Sequence, residues 1–298
     1  MTYVGIGPNG NIKLPEPIRV CLDRNADAPA DAFEGVFPFT ADFQPITAIK
    51  IFDSEKNVCF EGIVDEQENS LTDKVLTLAA RSRAALLLDN EAMPQNYMNP
   101  SLATVFNRHI RPYGLTRYLG NENCFHGTLA VTKGMSEWAA AAQFCSLFLK
   151  TEPRIIDGVF DASGQLPEQE IVFGKGGIRF HSGILQDRYY KLYSDLYSLD
   201  AHGGTYKRSA SSTQAHSLKI QRKRFLSSGV DANAVLQQSE QNAFVAVLDC
   251  PGRIFAPLLS PARIAGIPTG QWDDMRIFSV RYLLDAEGEH TRVTLRRK

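Results

Sequence analysis

The chain has 298 residues, 44% of them apolar and 22% charged, a composition that excludes disorder over most of its length. Lys and Arg total 32 against 33 Asp and Glu, so no strong overall field draws the molecule onto nucleic acid or anionic lipid. Five widely spaced cysteines without a C-x-x-C pair exclude a secreted disulfide framework, and no stretch approaches the ~18 apolar residues of a membrane span. The length corresponds to about two domains, and a chain of this size buries roughly 75% of its unfolded surface without a metal or disulfide staple. The N-terminus has no basic-then-apolar leader, so synthesis and folding in a cytoplasm are expected, with reduced, mostly buried thiols.

In chain order, residues 1–32 are rich in Gly, Pro, Asn and Asp and read as turns around one short strand, Ile18 to Leu22. Gly35 to Phe37, Ile46 to Phe52, Val58 to Val64 and Lys74 to Leu78 follow as short β-branched or aromatic runs between polar turns. That spacing predicts an antiparallel sheet or small barrel. Near residue 81 the texture changes, and Arg81 to Asp89 reads as a short helix. A second helix opens with Ser101 as N-cap, places Leu102, Val105, Phe106 and Ile110 at helical spacing, and stops at Gly114. A third runs from Ser136, with Trp138, Ala141, Ala142, Cys145, Phe148 and Leu149 on one face. Asp157-Gly158 between apolar residues is a tight-hairpin signal. Beyond residue 165 strands return at Glu170 to Phe173, Ile178 to Phe180, Tyr189 to Leu199, Ser217 to Ile220, Ala243 to Leu248, Arg276 to Leu284 and Thr291 to Leu295. One short helix is expected over 231–240. The order is therefore β-rich, then helical, then β-rich, with no short repeat.

No residue pattern demands catalysis. Phe173 to Ile178 is a Gly-rich loop, but it lacks the G-x-x-x-x-G-K-[ST] spacing and no helix follows it, so it reads as a turn. Cys124 and His126 lack the second ligand pair of a zinc site and any visible partner for nucleophilic catalysis, and read as packing. His109, beside Arg108 and Arg111, reads as a surface or interdomain residue. The paired carboxylates Asp65-Glu66 and Asp273-Asp274 fall in turn-like stretches and read as solvated. Val131 to Trp138 loosely resembles the opening of a LysM-type glycan-binding module; a strand, a turn and a capped helix with a core Trp explain it as well. Charge is uneven: Asp53 to Asp73 is acidic, while Lys219 to Arg224 and Arg296 to Lys298 are basic. The basic run at Arg222, Lys223 and Arg224 has no aromatic interleaving of the kind that stacks bases, and reads as a strand end or a patch for an acidic protein partner.

Ala80 to Glu91, with Pro100 to Phe106 after it, resembles the baseplate hub, or late-control-type, proteins of contractile phage tails in prophages and tailocins of Gram-positive bacteria. Asp249 to Gly252, Phe278 to Tyr282 and Gly288 to Leu295 are similar to that family's last barrel. The resemblance implies a mainly β fold with an α insertion: two tail-tube-like antiparallel β-barrel domains plus a small helical middle domain. It implies boundaries at 1–90, 91–165 and 166–298. It also implies a homotrimer whose barrels mimic a six-fold ring and join a hexameric tail tube to a trimeric central spike, beside other baseplate or tape-measure proteins. The region from Leu258 to Gly270, where Pro257, Pro261 and Pro268 crowd together, departs from the family pattern and is expected to be a loop. The chain ends just past its last strand, so no fused lysozyme or spike is expected.

The resulting expectation is a structural virion protein of the tail baseplate, made in the bacterial host cytoplasm. It is not an enzyme, and it has no catalytic, cofactor-binding or metal-binding residues, no specific nucleic-acid binding and no membrane insertion. The alternative is a cell-wall-directed tail protein, either a peptidoglycan hydrolase or a glycan-binding module centred on Trp138.

Overall fold

The computed structural model describes residues 1–38, 44–199, 204–227, 229–266 and 273–297. The fold is mainly β with helical insertions. Two compact units divide it: Met1–Leu166 with Arg281–Glu289, and Pro167–Val280 with His290–Lys298.

The first unit is built on an antiparallel sheet whose strands lie in the spatial order Arg19–Asn25, Ala32–Pro38, Val75–Ser82, Val58–Ser70, Ala48–Phe52, Thr2–Gly7 and Gly10–Lys13. Alternation decides which face is buried. In Ala32–Pro38, Phe33, Gly35 and Phe37 point inward. They meet Tyr3, Val20, Ile49, Ile51, Phe60 and Leu78 in one core. Gly35 is required by close approach, because a Cβ there would lie 2.6 Å from Phe33 and 2.7 Å from Phe37. The tip of the last hairpin belongs to this unit: Tyr282 joins the core, and Arg281 binds Asp23 through Nε at 3.1 Å.

The sheet gives way to the helices Ala85–Asp89, Leu102–Val105 and Glu137–Phe144. Ser101 and Ser136 cap the last two, their hydroxyls accepting from the amides of Thr104 and Ala139. Both helices continue as wide turns, Phe106–Ile110 and Cys145–Leu149. The first ends at Gly114, with φ 93°, as expected. Leu102, Phe106, Ile110, Leu129, Phe144 and Phe160 fill this core. On the third helix Ala141 and Cys145 are buried as expected, with Trp138, Phe148 and Leu149 half-buried against the same core, and Ala140 and Phe144 are buried as well while Ala142 is half-buried, so the buried stripe is shifted from the expected one. The hairpin Arg154–Ile156 to Val159–Asp161 forms as expected, with Asp157 and Gly158 both at positive φ.

The second unit has a sheet ordered Ser182–Asp187, Phe244–Pro251, Gly288–Arg297, Met275–Asp285, Pro261–Ala265 and Ile171–Gly174, the last pair parallel. Phe173, Ala246, Leu248, Ile264, Ile277 and Val293 form its core. A smaller sheet holds Tyr206–Ser211, Asp195–Leu199 and Lys223–Leu226, with Asp195–Leu199 central. Helix Ala232–Ala243 starts at Asp231, whose carboxylate accepts from the amides of Asn233 and Ala234. Neither large sheet closes into a barrel among the described residues.

Five local expectations are corrected. Residues 1–13 form a hairpin, Thr2–Gly7 with Gly10–Lys13, rather than turns. Tyr189–Lys191 is a single 3-10 turn, and the strand begins only at Asp195. Thr213–Ser217 is helical because the Ser212 hydroxyl accepts from the Ala215 amide at its start, and no strand follows it at Leu218 to Ile220. Ile178 makes one bridge to Phe173, and no strand forms at Arg179 or Phe180. Pro261–Ala265 is a strand rather than a loop; Pro261 is tolerated as its first residue, and Pro268 lies outside the described residues.

Phe144 is fully buried, with the rings of Phe125 and Phe148 at 5.8 and 5.4 Å. Phe144→Ala is expected to destabilise the chain by about 3–5 kcal/mol in urea unfolding; a loss below about 1 kcal/mol contradicts the assignment of this core.

Candidate functional site

A buried polar cluster lies among the helices of the first unit. Glu137 opens the third helix, where the free amides of the first turn favour a carboxylate. His109, on the wide turn after the second helix, is 1% exposed. Its Nδ1 lies 2.5 Å from Glu137 Oε2, and its Nε2 lies 2.9 Å from the Tyr97 hydroxyl. The Tyr113 hydroxyl donates to Glu137 Oε1 at 2.9 Å, and Gln95 Nε2 donates to the Tyr97 hydroxyl at 2.6 Å. Burial, reinforced by Glu137, pushes the Tyr113 phenol above its ordinary value, so it stays a neutral donor. Burial also raises the Tyr97 phenol, against the pull of Arg108. His109 is therefore not a surface residue. Its partner stands 28 residues away, and only the packing of two helices brings them together. Each imidazole nitrogen and each Glu137 carboxylate oxygen is engaged within the protein, so the cluster holds helices together rather than presenting a base to a substrate.

The second unit brings together Asp195, Ser211 and His216, the residue types of a hydrolase triad. The Ser211 hydroxyl is 3.1 Å and Asp195 Oδ1 is 3.4 Å from the same ring nitrogen, His216 Nε2. A working triad places the acid and the serine on opposite nitrogens, so this imidazole cannot pass a proton between them. Burial pushes the Asp195 carboxyl up, but hydrogen bonds from Ser194, Ser211 and His216 outweigh it and leave it below the usual range. Asp195 is thus a fixed anion of the small sheet.

A cavity of about 740 Å³ in the first unit is lined by Arg24, Asp31, Phe60, Glu61, Arg83 and Leu115, among others. Its charges are already matched: Arg24 lies 3.3 Å from Asp31, and Arg83 lies 3.0 Å from Glu61. Burial raises the Asp31 carboxyl against the pull of Arg24.

The residues singled out in the sequence do not converge. The Gly-rich loop is a turn, with Gly174 and Gly176 at positive φ and the Gly177 amide donating to the Gly174 carbonyl at 3.1 Å. Cys124 is exposed, whereas burial holds the Cys145 thiol up at about 12 and the Cys250 thiol at about 11. No group of three or more metal-ligating side chains occurs among the described residues. Asp65 clasps Arg81 through both oxygens, at 2.7 and 2.9 Å, rather than standing free in solvent. Trp138 packs edge-on against Phe160 at 6.1 Å, half-buried on the core of the helical part. The basic run ends in the strand Lys223–Leu226, with its three cations exposed as expected of a solvated strand end. Phe225, next to these cations in its strand, meets Tyr197 at 5.3 Å and Tyr206 at 5.0 Å from the neighbouring strands, an aromatic cluster that the sequence order does not show.

No family model matches the sequence, and no curated protein matches it. Solved structures do match. The 43 kDa tail protein of prophage MuSo2 from Shewanella oneidensis aligns with a TM-score of 0.79 at 13% identity, over 100% of this chain and 98% of that one. A tail protein from Neisseria meningitidis MC58 aligns with a TM-score of 0.74 at 14% identity, over 100% and 96%. An Escherichia coli component of the type VI secretion system, described as structurally similar to T4 bacteriophage tail proteins gp27 and gp5, aligns with a TM-score of 0.59 at 7% identity, over 96% and 75%. The chain has the fold of these tail proteins.

Replacing Glu137 by Ala strands the buried His109 and the Tyr113 hydroxyl. Urea unfolding is expected to show a loss of about 3–5 kcal/mol, with a smaller loss for Glu137→Gln, which keeps an acceptor. Equal stability of Glu137→Ala and the parent chain would show that the cluster bears no structural weight.

Proposed function

We propose that this chain is a structural subunit of a phage-type contractile tail, tailocin or related injection particle: a baseplate hub that joins the hexameric tail tube to the trimeric central spike. One observation carries the proposal, the likeness to prophage tail proteins that runs from end to end of both chains. The likeness to a type VI secretion component supports the hub in particular. In this role the parts 1–90 and 166–298 act as tail-tube-like barrel domains and 91–165 as the helical middle. Three copies would match six such domains to the six-fold tube. Tube, spike and other baseplate or tape-measure proteins would be its neighbours, in the tail baseplate of the particle. The role is structural and needs no catalytic group.

The sheets support assembly on physical grounds. The strand Ser182–Asp187 pairs with Phe244–Pro251 on one side and with no other strand among the described residues. Its Ile184 and Leu185 are 54% and 39% exposed. A bare edge of six residues with apolar side chains on both faces invites pairing with another chain, and soluble proteins ordinarily protect such edges with charge, proline or a cover. A neighbouring subunit is the cover that a ring supplies.

Light scattering over a concentration series tests this. The wild-type chain is expected to pass from monomer to a three-copy mass. Ile184→Lys with Leu185→Lys, on exposed positions that leave the core intact, is expected to shift that transition to at least about ten-fold higher concentration, because like charges on an edge block strand pairing. A wild-type chain that stays monomeric, or a double variant that assembles as the wild type does, contradicts the proposed ring.

A further inference from the structure

We infer that the small sheet of the second unit is a binding face for single-stranded nucleic acid, sequence-independent and distinct from any contact between subunits. Residues 204–227 carry six Lys or Arg and no Asp or Glu, in a chain whose net charge is −1. All six cations, Lys207, Arg208, Lys219, Arg222, Lys223 and Arg224, are exposed. The field that is absent from the whole molecule is present here.

Strand geometry decides what else this face displays. Leu196 and Leu226 are buried together in a small core under the sheet. Side chains alternate along a strand, so their neighbours Tyr197 and Phe225 face the opposite way, outward. Tyr197 lies opposite Phe225 on one side and opposite Arg208 on the other, and Leu199 lies opposite Tyr206. Lys223 shares the face of Phe225. The outer surface therefore presents Tyr197, Tyr206 and Phe225 as a contiguous ring cluster, flanked by Arg208 and Lys223. Phe225 is 61% exposed and Tyr206 48%. A cluster of large rings left in water at that exposure marks a contact surface.

The combination selects the ligand. Exposed aromatic faces stack unpaired bases, and flanking cations hold the phosphates between them. A duplex keeps its bases stacked inside and would use only the cations. An acidic polypeptide would likewise use the cations and leave the rings without a role. An unpaired strand uses both sets of residues at once. Its backbone charge also matches a run of cations that faces one carboxylate in the sheet, the buried Asp195, which lies 3.5 Å from Arg208 and leaves Lys223 without an ion pair among the described residues. The inference stands whether or not the chain forms a ring, since every residue it uses belongs to one subunit.

The test is fluorescence anisotropy with the full chain and a labelled oligothymidylate of about 20 nucleotides, titrated between about 50 and 200 mM salt. Binding is expected, with affinity falling steeply as salt rises. Phe225→Leu, which keeps apolar bulk but removes the ring, is expected to weaken it by on the order of ten-fold, and Phe225→Tyr to retain it. Lys223→Ala is expected to lower the log–log salt slope by about 0.7, one phosphate contact on a single strand. Circular dichroism should match the parent for each variant, since all these positions are exposed. No binding at about 50 mM salt overturns the inference. So does unchanged affinity of Phe225→Leu, equal affinity for a duplex of the same length, or displacement by polyglutamate as effective as by the oligonucleotide, which would assign the face to an acidic protein.

Discussion

The constraint on which this structure turns is the unpaired edge of an antiparallel sheet. Backbone amides and carbonyls must be hydrogen-bonded wherever they leave water, and a sheet meets that demand for every strand except its outermost. Both units are built on antiparallel pairing, and neither large sheet closes on itself among the described residues. In the first unit the outer strand at one end, Gly10–Lys13, is short and polar, a modest exposure. In the second unit the outer strand Ser182–Asp187 at one end is longer and carries Ile184 and Leu185 into solvent. A fold shared with tail proteins and an edge of that kind point the same way. In the proposed ring a neighbour would complete the hydrogen bonding of this edge, and assembly would follow from the strand chemistry rather than from a specialised site.

The remaining polar groups are engaged with one another inside each unit. The His109, Glu137, Tyr97 and Tyr113 cluster has its atoms engaged with one another. It ties the second helix, the third helix and the strand Gln95–Met98 by hydrogen bonds that no single packing contact replaces. Asp195, Ser211 and His216 fail as a triad on one point of geometry, the shared ring nitrogen. The cavity charges are paired. Exposed apolar residues stand on the Ser182–Asp187 edge and on the outer face of the small sheet, the two surfaces proposed above for binding.

The elements most legible in the sequence were those set by local chemistry. Ser101 and Ser136 announce helix starts because an N-cap hydroxyl needs only the amide three residues on. Asp157-Gly158 announces a hairpin because both positions need positive φ. The N-terminal hairpin was hidden by Gly, Pro and Asn, whose turn chemistry masks a strand paired to Ala48–Phe52 far along the chain. His109 was misplaced because its charged neighbours Arg108 and Arg111 look like solvent, while its partners stand 12 and 28 residues away. The basic run at Arg222 to Arg224 lacked aromatics for the same reason: Tyr197 and Tyr206 join Phe225 only through sheet register. Local rules read caps and turns; sites assembled across strands and helices need the fold.

The most direct test of the central claim is amide hydrogen exchange along Ser182–Asp187, measured on the dilute chain and on the assembled species. The outward amides of this strand have no strand partner among the described residues and should exchange fast in the dilute chain, whereas the strand Phe244–Pro251 beside it, paired on both sides, should be slow in both states. If a neighbour completes the sheet, the outward amides become protected on assembly, on the order of a hundred-fold or more, while the core of the unit is unchanged. Outward amides that exchange equally fast in monomer and assembly would contradict the account and leave this edge without a structural role.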